Sequence, residues 1–186
     1  MAQSNASWAL SARIHFTSSV MIKKLALAAV AFSLAVLPVS AKDLHFPKKG
    51  DSMFTITIPD SWEPGKDEEG TVEAESPKEG VYMAIWSLES EKDANDLGKD
   101  IVDLLKDHAK DIKMEGEAQE AHPGGLDGAL LKGTAKDKED GKAIGFFALV
   151  VSNKKKAAVI YIEVGADASA EEQAKLEKIL KSIKAS

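Results

Sequence analysis

The chain has 186 residues, of which 24 are Lys or Arg and 30 are Asp or Glu, so its formal net charge is −6 at pH 7. This acidic balance argues against nucleic acid or an anionic membrane as the main partner, because both carry negative charge. The chain has no cysteine, which excludes disulfides and lipid attachment at a cysteine.

Residues 21–41 have the pattern of a secretory signal peptide. Lys23 and Lys24 precede an uncharged apolar run at 25–37, and small side chains follow up to Ala41. A membrane-spanning helix needs about 20 apolar residues, and this run is shorter. We therefore predict cleavage after Ala41 and no stable membrane anchor.

The cleavage divides the chain into three parts. Residues 1–20 are interpreted as an upstream extension from a start codon assigned too early, with Met21 as the true start; a long positive region of the signal peptide is the alternative. Residues 42–186 are long enough for one domain with a sizeable core. The leader holds three basic residues and no acidic one, so residues 42–186 have a net charge of −9. We predict a soluble periplasmic or secreted protein.

The first half of the predicted domain contains three strands. Residues 43–50 are expected to form an irregular lead-in. Residues 54–58 alternate apolar and polar side chains, as a strand with one buried face does. Residues 71–74 form a second short strand. Residues 81–88 are apolar on both faces, so both faces of this third strand should be covered.

The second half of the domain contains two helices and four more strands. The helices are recognised by apolar residues at helical spacing, and Ser169 and Glu172 have the spacing of a capping box. The later strands are short apolar runs separated by turn signals. The predicted elements are a helix at 94–112, strands at 114–121, 126–135, 144–151 and 157–164, and a helix at 170–184.

These elements predict an α+β fold in the order βββαββββα. The tight turn at 153–154 makes the last two strands antiparallel. Because several strands are apolar on both faces, we expect an antiparallel sheet of about seven strands with helices packed on both faces.

Residues 54–62 carry the sequence FTITIPDSW, which resembles the F-x-I-x-I-P-x-x-W start of PsbP-like domains. Ala74-Glu75-Ser76-Pro77 before a strong strand and the closing run at 179–183 are also similar to that family. The resemblance implies an antiparallel sheet between helices. Its members include an extrinsic subunit of photosystem II, a nuclear-transport factor acting on a small GTPase, and small bacterial envelope proteins. They bind or stabilise other proteins and generally are not enzymes.

The histidines give no pattern of a metal or catalytic site. His45, His108 and His122 are scattered singly, whereas zinc ligands are grouped at short spacing. His108 is expected on the apolar stripe of the helix at 94–112, packed or at its rim, and His122 in a solvent-facing turn. Residues 137–141 are acidic but lack the spacing of a calcium loop, so we interpret them as a charged hairpin tip.

Four residues are candidates for recognition. Trp62 offers an aromatic face that suits sugars or peptide anchors, although plugging the end of the sheet is the stronger interpretation. Lys154, Lys155 and Lys156 form a basic tip, which protects the edge of a hairpin or docks a partner. We predict no catalytic, cofactor-binding or metal-binding residue.

The sequence therefore predicts a non-catalytic accessory protein of the cell envelope that binds another protein and needs no cofactor. Two alternatives are a carrier of a small ligand or lipid, with a pocket near Trp62, and a hydrolase without a recognisable motif. The hydrolase alternative would be favoured by a cleft that unites His108 or His122 with two carboxylates.

Overall fold

The computed structural model describes residues 40–67, 70–78, 80–88, 91–153 and 156–186. The upstream extension predicted at 1–20, and the predicted signal peptide at 21–41 except Ser40 and Ala41, lie outside the described residues. Within the described part of the chain, no helix has the length and apolar character needed to cross a membrane.

Two helices and a set of mostly short strands alternate along the described chain. The helices are α1 (Glu91–Leu105) and α2 (Ala170–Lys181). The strands are β1 (Ala41–Phe46), β2 (Phe54–Pro59), β3 (Gly65–Lys66), β4 (Val72–Glu75), β5 (Val81–Leu88), β6 (Ala109–Met114), β7 (Gln119–Ala121), β8 (Asp127–Asp137), β9 (Ala143–Asn153), β10 (Lys156–Gly165) and β11 (Lys184–Ala185).

A large antiparallel sheet of eight strands forms the centre of the fold. Its order is β3-β4-β5-β10-β9-β8-β6, and β7 also pairs with β8. The hairpins β8–β9 and β9–β10 have short connections, which force antiparallel neighbours. The long strand β10 then pairs with β5, placing Val159 opposite Trp86. This pairing joins the first half of the domain to the second.

A smaller sheet has the order β1-β2-β11. Phe46 and Phe54 are register partners in it, and their buried rings stack with centroids 5.5 Å apart. The prediction that 43–50 is an irregular lead-in is therefore wrong for its first part. The strand forms because β2 supplies backbone partners and because Phe46 gains a buried site beside Phe54.

The large sheet buries both of its faces, as the apolar character of its strands predicts. On one face, Ile160 and Ile162 belong to a core cluster that also contains Ile179 of α2. On the other face, Tyr161 belongs to a second cluster that also contains Ile101 of α1. The predicted α+β class, with an antiparallel sheet between helices, is confirmed.

The predicted helix boundaries need correction. The helix predicted at 94–112 ends at Leu105, and His108 lies in the turn that follows it. Ile112 lies in β6, which pairs with β8. The second predicted helix ends at Lys181 rather than at 184. Its capping box is confirmed, because the Ser169 side chain accepts from the Glu172 backbone while the Glu172 side chain accepts from the Ser169 backbone.

Candidate functional site

Two clefts meet at the side chains of Glu75 and Tyr82, which line both of them. The first has a volume of about 390 Å³ and is called the His108 cleft. The second has a volume of about 540 Å³ and is called the Trp62 cleft. Together they are called the groove. The His108 cleft is lined by residues that include Tyr82, His108, Asp137, Lys142, Glu163 and Asp167, and the Trp62 cleft by residues that include Trp62, Glu63, Glu73, Ala74, Glu75 and Ser76.

A carboxylate orients the imidazole in the His108 cleft. Oε1 of Glu163 lies 3.0 Å from Nε2 of His108, and it accepts a 2.6 Å hydrogen bond from the buried hydroxyl of Tyr161. The side chain of Glu163 is 15% exposed and that of His108 is 44% exposed. An imidazole held in this way can accept or donate a proton in the cleft.

The secondary structure explains why these three side chains meet. Tyr161 and Glu163 are two positions apart on β10, so they project from the same face of the sheet. His108 enters from the turn between α1 and β6. The turn is hydrogen-bonded to the connection between β8 and β9, where the Lys138 backbone N–H donates to the His108 carbonyl at 2.9 Å.

The lining of the His108 cleft also contains an ion-pair cluster. Nζ of Lys142 lies 3.0 Å from Asp140 and 2.9 Å from Asp167. The hydrogen bonds that Lys142 donates to Asp167 and Asp140 raise its pKa. These three side chains are about half exposed, so each pair contributes little to stability. Because one lysine faces two aspartates, the cluster keeps a net negative charge and adds to the acidic character of the cleft.

Tyr82, which lines the groove, and Tyr161, which is buried in the core, are both protonated donors. Burial, followed by the hydrogen bond to Glu73, raises the pKa of Tyr82, whose hydroxyl donates to Glu73 Oε1 at 2.8 Å. Burial, followed by the hydrogen bond to Glu163, raises the pKa of Tyr161. Each phenol therefore fixes the position of one carboxylate.

Trp62 lies in a single turn of 3-10 helix at Asp60–Trp62 and is 1% exposed. Its ring faces pack in the core and are not available for stacking on a ligand in this structure. Its Nε1 has no hydrogen-bond partner among the described residues. The next residue, Glu63, has φ 46° in the left-handed region, an unfavourable backbone conformation for a residue other than glycine.

The open edge of β4 forms part of the Trp62 cleft. Strand β5 pairs with β4 from Val72 to Glu75, but β3 pairs only with Val72 and Glu73. The outer side of Ala74 and Glu75 therefore has no neighbouring strand among the described residues. Both residues line the cleft.

Of the predicted basic tip, the structure describes Lys156, which does not line the groove. Lys154 and Lys155 lie outside the described residues. Lys156 begins β10, and its Nζ donates to the Asp51 carbonyl at 2.9 Å and pairs with the Asp51 carboxylate. The structure therefore does not bring Lys156 and Trp62 together.

The sequence interpretation missed Glu163 and Tyr161. A signal was present, because Glu163 is the only charged residue within the otherwise apolar run 157–164, and a charge at such a position needs a partner. The geometric condition for the hydrolase alternative is met at His108, whose cleft also contains Glu163 and Asp137. His122 follows β7 and is 59% exposed, with Glu120 at 3.2 Å and Asp127 at 3.5 Å.

No group of three or more His, Asp or Glu residues is placed to hold a metal ion within the described ranges. No protein-family model matches the chain, and no curated protein is significantly similar to it. The cyanobacterial PsbP protein CyanoP from Synechocystis sp. PCC 6803 does match in structure. Its TM-score is 0.57 at 14% identity, over 82% of this chain and 96% of that chain. The fold is PsbP-like.

Two other solved structures show weaker likeness to this chain. A protein from Bacteroides thetaiotaomicron matches with a TM-score of 0.48 and 18% identity over 72% of this chain. The match covers 45% of the Bacteroides chain, which is less than half of its length. LpqN of Mycobacterium tuberculosis, described as involved in cell envelope biogenesis, matches with a TM-score of 0.43 and 12% identity, over 78% of this chain and 90% of that chain.

Proposed function

We propose that this PsbP-like protein is an exported accessory factor that binds another protein of the cell envelope in the groove and catalyses no reaction. The leader pattern at 21–41 supports export. The observation that carries the binding proposal is the groove itself, in which charged and hydrogen-bonding side chains lie beside the open edge of β4.

The lining of the groove suits a protein segment better than a small apolar ligand. Sites for small molecules are mostly apolar with a few polar groups. Here carboxylates, lysines and Tyr82 make up much of the wall, as in the polar part of a protein–protein interface. The carboxylates of Glu73 and Glu163 are already positioned by tyrosine hydroxyls, so binding needs little reordering of those two side chains.

Crosslinking in the source cells tests this proposal. A photocrosslinking amino acid replaces Ser61, an exposed residue on the wall of the Trp62 cleft, and a matched variant carries it at the exposed residue Glu117, outside the groove. We expect one envelope protein to be captured from position 61 and not from position 117. Capture of no protein, or of the same protein from both positions, would contradict the proposal.

One observation favours a second candidate function, an acid–base hydrolase. His108 faces a cleft that also holds Glu163 and Asp137, and Glu163 orients the imidazole. Screening the purified protein against ester, amide and phosphoester substrates tests this function. Activity that His108→Asn abolishes and His122→Asn retains would replace the accessory role with a catalytic one.

A further inference from the structure

We propose that the groove takes an extended, basic segment of its partner, which adds as a strand to the open edge of β4. This inference rests on the proposed function and names the chemistry of the partner. It depends on three features of the structure: an unpaired strand edge, the direction of the glutamates on that strand, and the tyrosine beside them.

Among the described residues, the second half of the outer edge of β4 has no strand partner and lines a cleft. Gly65 and Lys66 of β3 occupy the positions opposite Glu73 and Val72. Beyond them, Ala74 and Glu75 line the Trp62 cleft together with residues 61–63. Peptides commonly bind to such edges because the backbone groups of an edge strand can pair with a second chain.

The side chains of β4 determine the charge of the added strand. Val72 and Ala74 are buried, whereas Glu73 and Glu75 are exposed, so both glutamates project from the same face. A residue opposite Glu75 on an added strand would lie within reach of its carboxylate, where an opposite charge is favourable. Glu73 lies opposite Gly65, which has no side chain, and its Oε1 accepts the hydrogen bond of Tyr82.

Tyr82 provides a second contact for a basic side chain. It is the register partner of Glu75 on β5, and its hydroxyl is held by Glu73. The half-buried ring lines both clefts, so a lysine or arginine that approaches Glu75 also approaches an aromatic ring. Cations are attracted to the faces of such rings.

The His108 cleft extends the negative charge of the groove beyond Glu75. Glu163 and Asp137 line it, and Lys142 is paired with two aspartates, so those three side chains together are also net negative. Lys78 is the other lysine of this cleft. Charge of one sign along a groove favours an oppositely charged segment and rejects one of the same sign.

Synthetic peptides test the inference with the purified protein. The probe is a fluorescently labelled peptide of alternating lysine and threonine, whose binding is measured by anisotropy at low salt. The controls are the same peptide with glutamate in place of lysine, and the lysine peptide with N-methyl groups on alternate backbone nitrogens. We expect the lysine peptide to bind at least tenfold more tightly than either control.

Charge-reversal variants locate the site. Glu75→Lys should weaken binding of the lysine peptide at least fivefold, because it places like charges across the pair. Glu117→Lys makes the same change of net charge on an exposed bend outside the groove and should change the affinity less than twofold. Circular dichroism checks that both variants are folded, and Glu75→Gln serves as a milder second variant.

Three results would overturn the inference. Equal binding of the lysine and glutamate peptides would remove the charge argument. Equal binding of the N-methylated peptide would show attraction without strand addition, and equal losses for Glu75→Lys and Glu117→Lys would place binding elsewhere. If a partner is captured from position 61 while the lysine peptide does not bind, the proposed function survives and this inference fails.

Discussion

The hydroxyl of Tyr161 donates a 2.6 Å hydrogen bond to Oε1 of Glu163, two positions further along β10. The phenol is buried under α1, whereas Glu163 reaches the wall of the His108 cleft. A buried donor thus holds a carboxylate at the surface, and that carboxylate holds His108. The core of the domain and the lining of the groove are linked through these two residues.

Removing the Tyr161 hydroxyl should destabilise the protein more than removing the less buried hydroxyl of Tyr82. Tyr161→Phe keeps the buried ring but loses the hydrogen bond to Glu163, so we expect a loss of about 1–2 kcal/mol in the free energy of unfolding. Tyr82→Phe loses a more exposed hydrogen bond to Glu73 and should cost about 0.5 kcal/mol or less. Urea denaturation measures both, and equal losses would contradict the buried position of the Tyr161 bond.

The same two tyrosines predict a loss of stability at alkaline pH. Burial, followed by hydrogen bonds to glutamate, raises the pKa of both phenols. In the unfolded chain they ionise near their usual pKa of about 10. Above that pH the unfolded chain releases protons that the folded protein retains, so the free energy of unfolding decreases as pH rises.

Ultraviolet absorbance of tyrosinate checks this prediction directly, because Tyr82 and Tyr161 are the only tyrosines in the chain. In the Tyr82→Phe variant, Tyr161 is the one remaining tyrosine. We expect its tyrosinate absorbance to rise at the same pH at which this variant unfolds. Ionisation of Tyr161 near its usual pKa of about 10 in a protein that is still folded would show that its hydroxyl is exposed.

The cap of α2 should depend on Glu172. Burial by itself raises the pKa of Glu172. Hydrogen bonds from the Ser169 backbone and from the Ser76 and Ser169 side chains together lower the pKa by more than burial raises it, so the net change is downward. A lowered pKa in the folded state stabilises the protein above the unfolded pKa, and this contribution is lost as pH falls through the folded pKa. Glu172→Gln should therefore weaken the dependence of stability on pH in the acidic range.

Glu171→Gln is the matched control, because Glu171 is exposed on the same turn and pairs with Lys175 at 2.8 Å. We expect Ser169→Ala and Glu172→Gln each to cost about 1 kcal/mol near neutral pH. Glu171→Gln should cost clearly less, because an exposed ion pair contributes little to stability. Thermal denaturation measured at several pH values distinguishes the three variants. A larger effect of Glu171 than of Glu172 would be inconsistent with the buried cap.

Two neighbouring glycines allow the stability cost of backbone strain to be compared with that of a steric clash. Gly124 and Gly125 both have positive φ, at 60° and 87°. A Cβ at Gly124 would lie 2.2 Å from the carbonyl oxygen of Ile183, whereas one at Gly125 would meet nothing within 4 Å. Gly125→Ala should cost about 1–2 kcal/mol from backbone strain alone, and Gly124→Ala at least about 3 kcal/mol. Chemical denaturation that shows equal losses would contradict the close approach at Ile183.

Local patterns were sufficient to predict the large sheet. Residues 81–88, 144–151 and 157–164 are apolar on both faces, and short turns set the last two antiparallel. Both properties are encoded within a few residues, so the sequence alone indicated a sheet covered on both sides. The strand β1 was missed because its partner β2 and the stacking of Phe46 on Phe54 follow several residues later.

The end of α1 could not be predicted from spacing. Leu105, His108 and Ile112 continue the helical period, but the chain leaves the helix after Leu105. Asp111 adopts φ 55°, and β6 pairs with β8, where Ala109 lies opposite Asp137. These strand partners are far away in sequence, so the spacing of the apolar residues at 97–112 gives no information about them.

The contact between His108 and Glu163 was hidden for the same reason. His108 was assigned to a helix face, and Glu163, which is 55 positions away from it, contacts it only through the antiparallel pairing of β10 and the turn after α1. Neither residue belongs to a motif. The isolated charge in an apolar strand was the one signal in the sequence that pointed to the site.

The double covering of the large sheet has a consequence for how the protein misfolds. Strands β5, β9 and β10 have high β-propensity and few charges, and each contributes to both core clusters. If α1 alone detached, the second face of these strands would meet water while the backbone ladder stayed intact. Such a partly open molecule would expose an apolar face of the sheet to other molecules. Aggregation should therefore begin when α1 detaches rather than after complete unfolding.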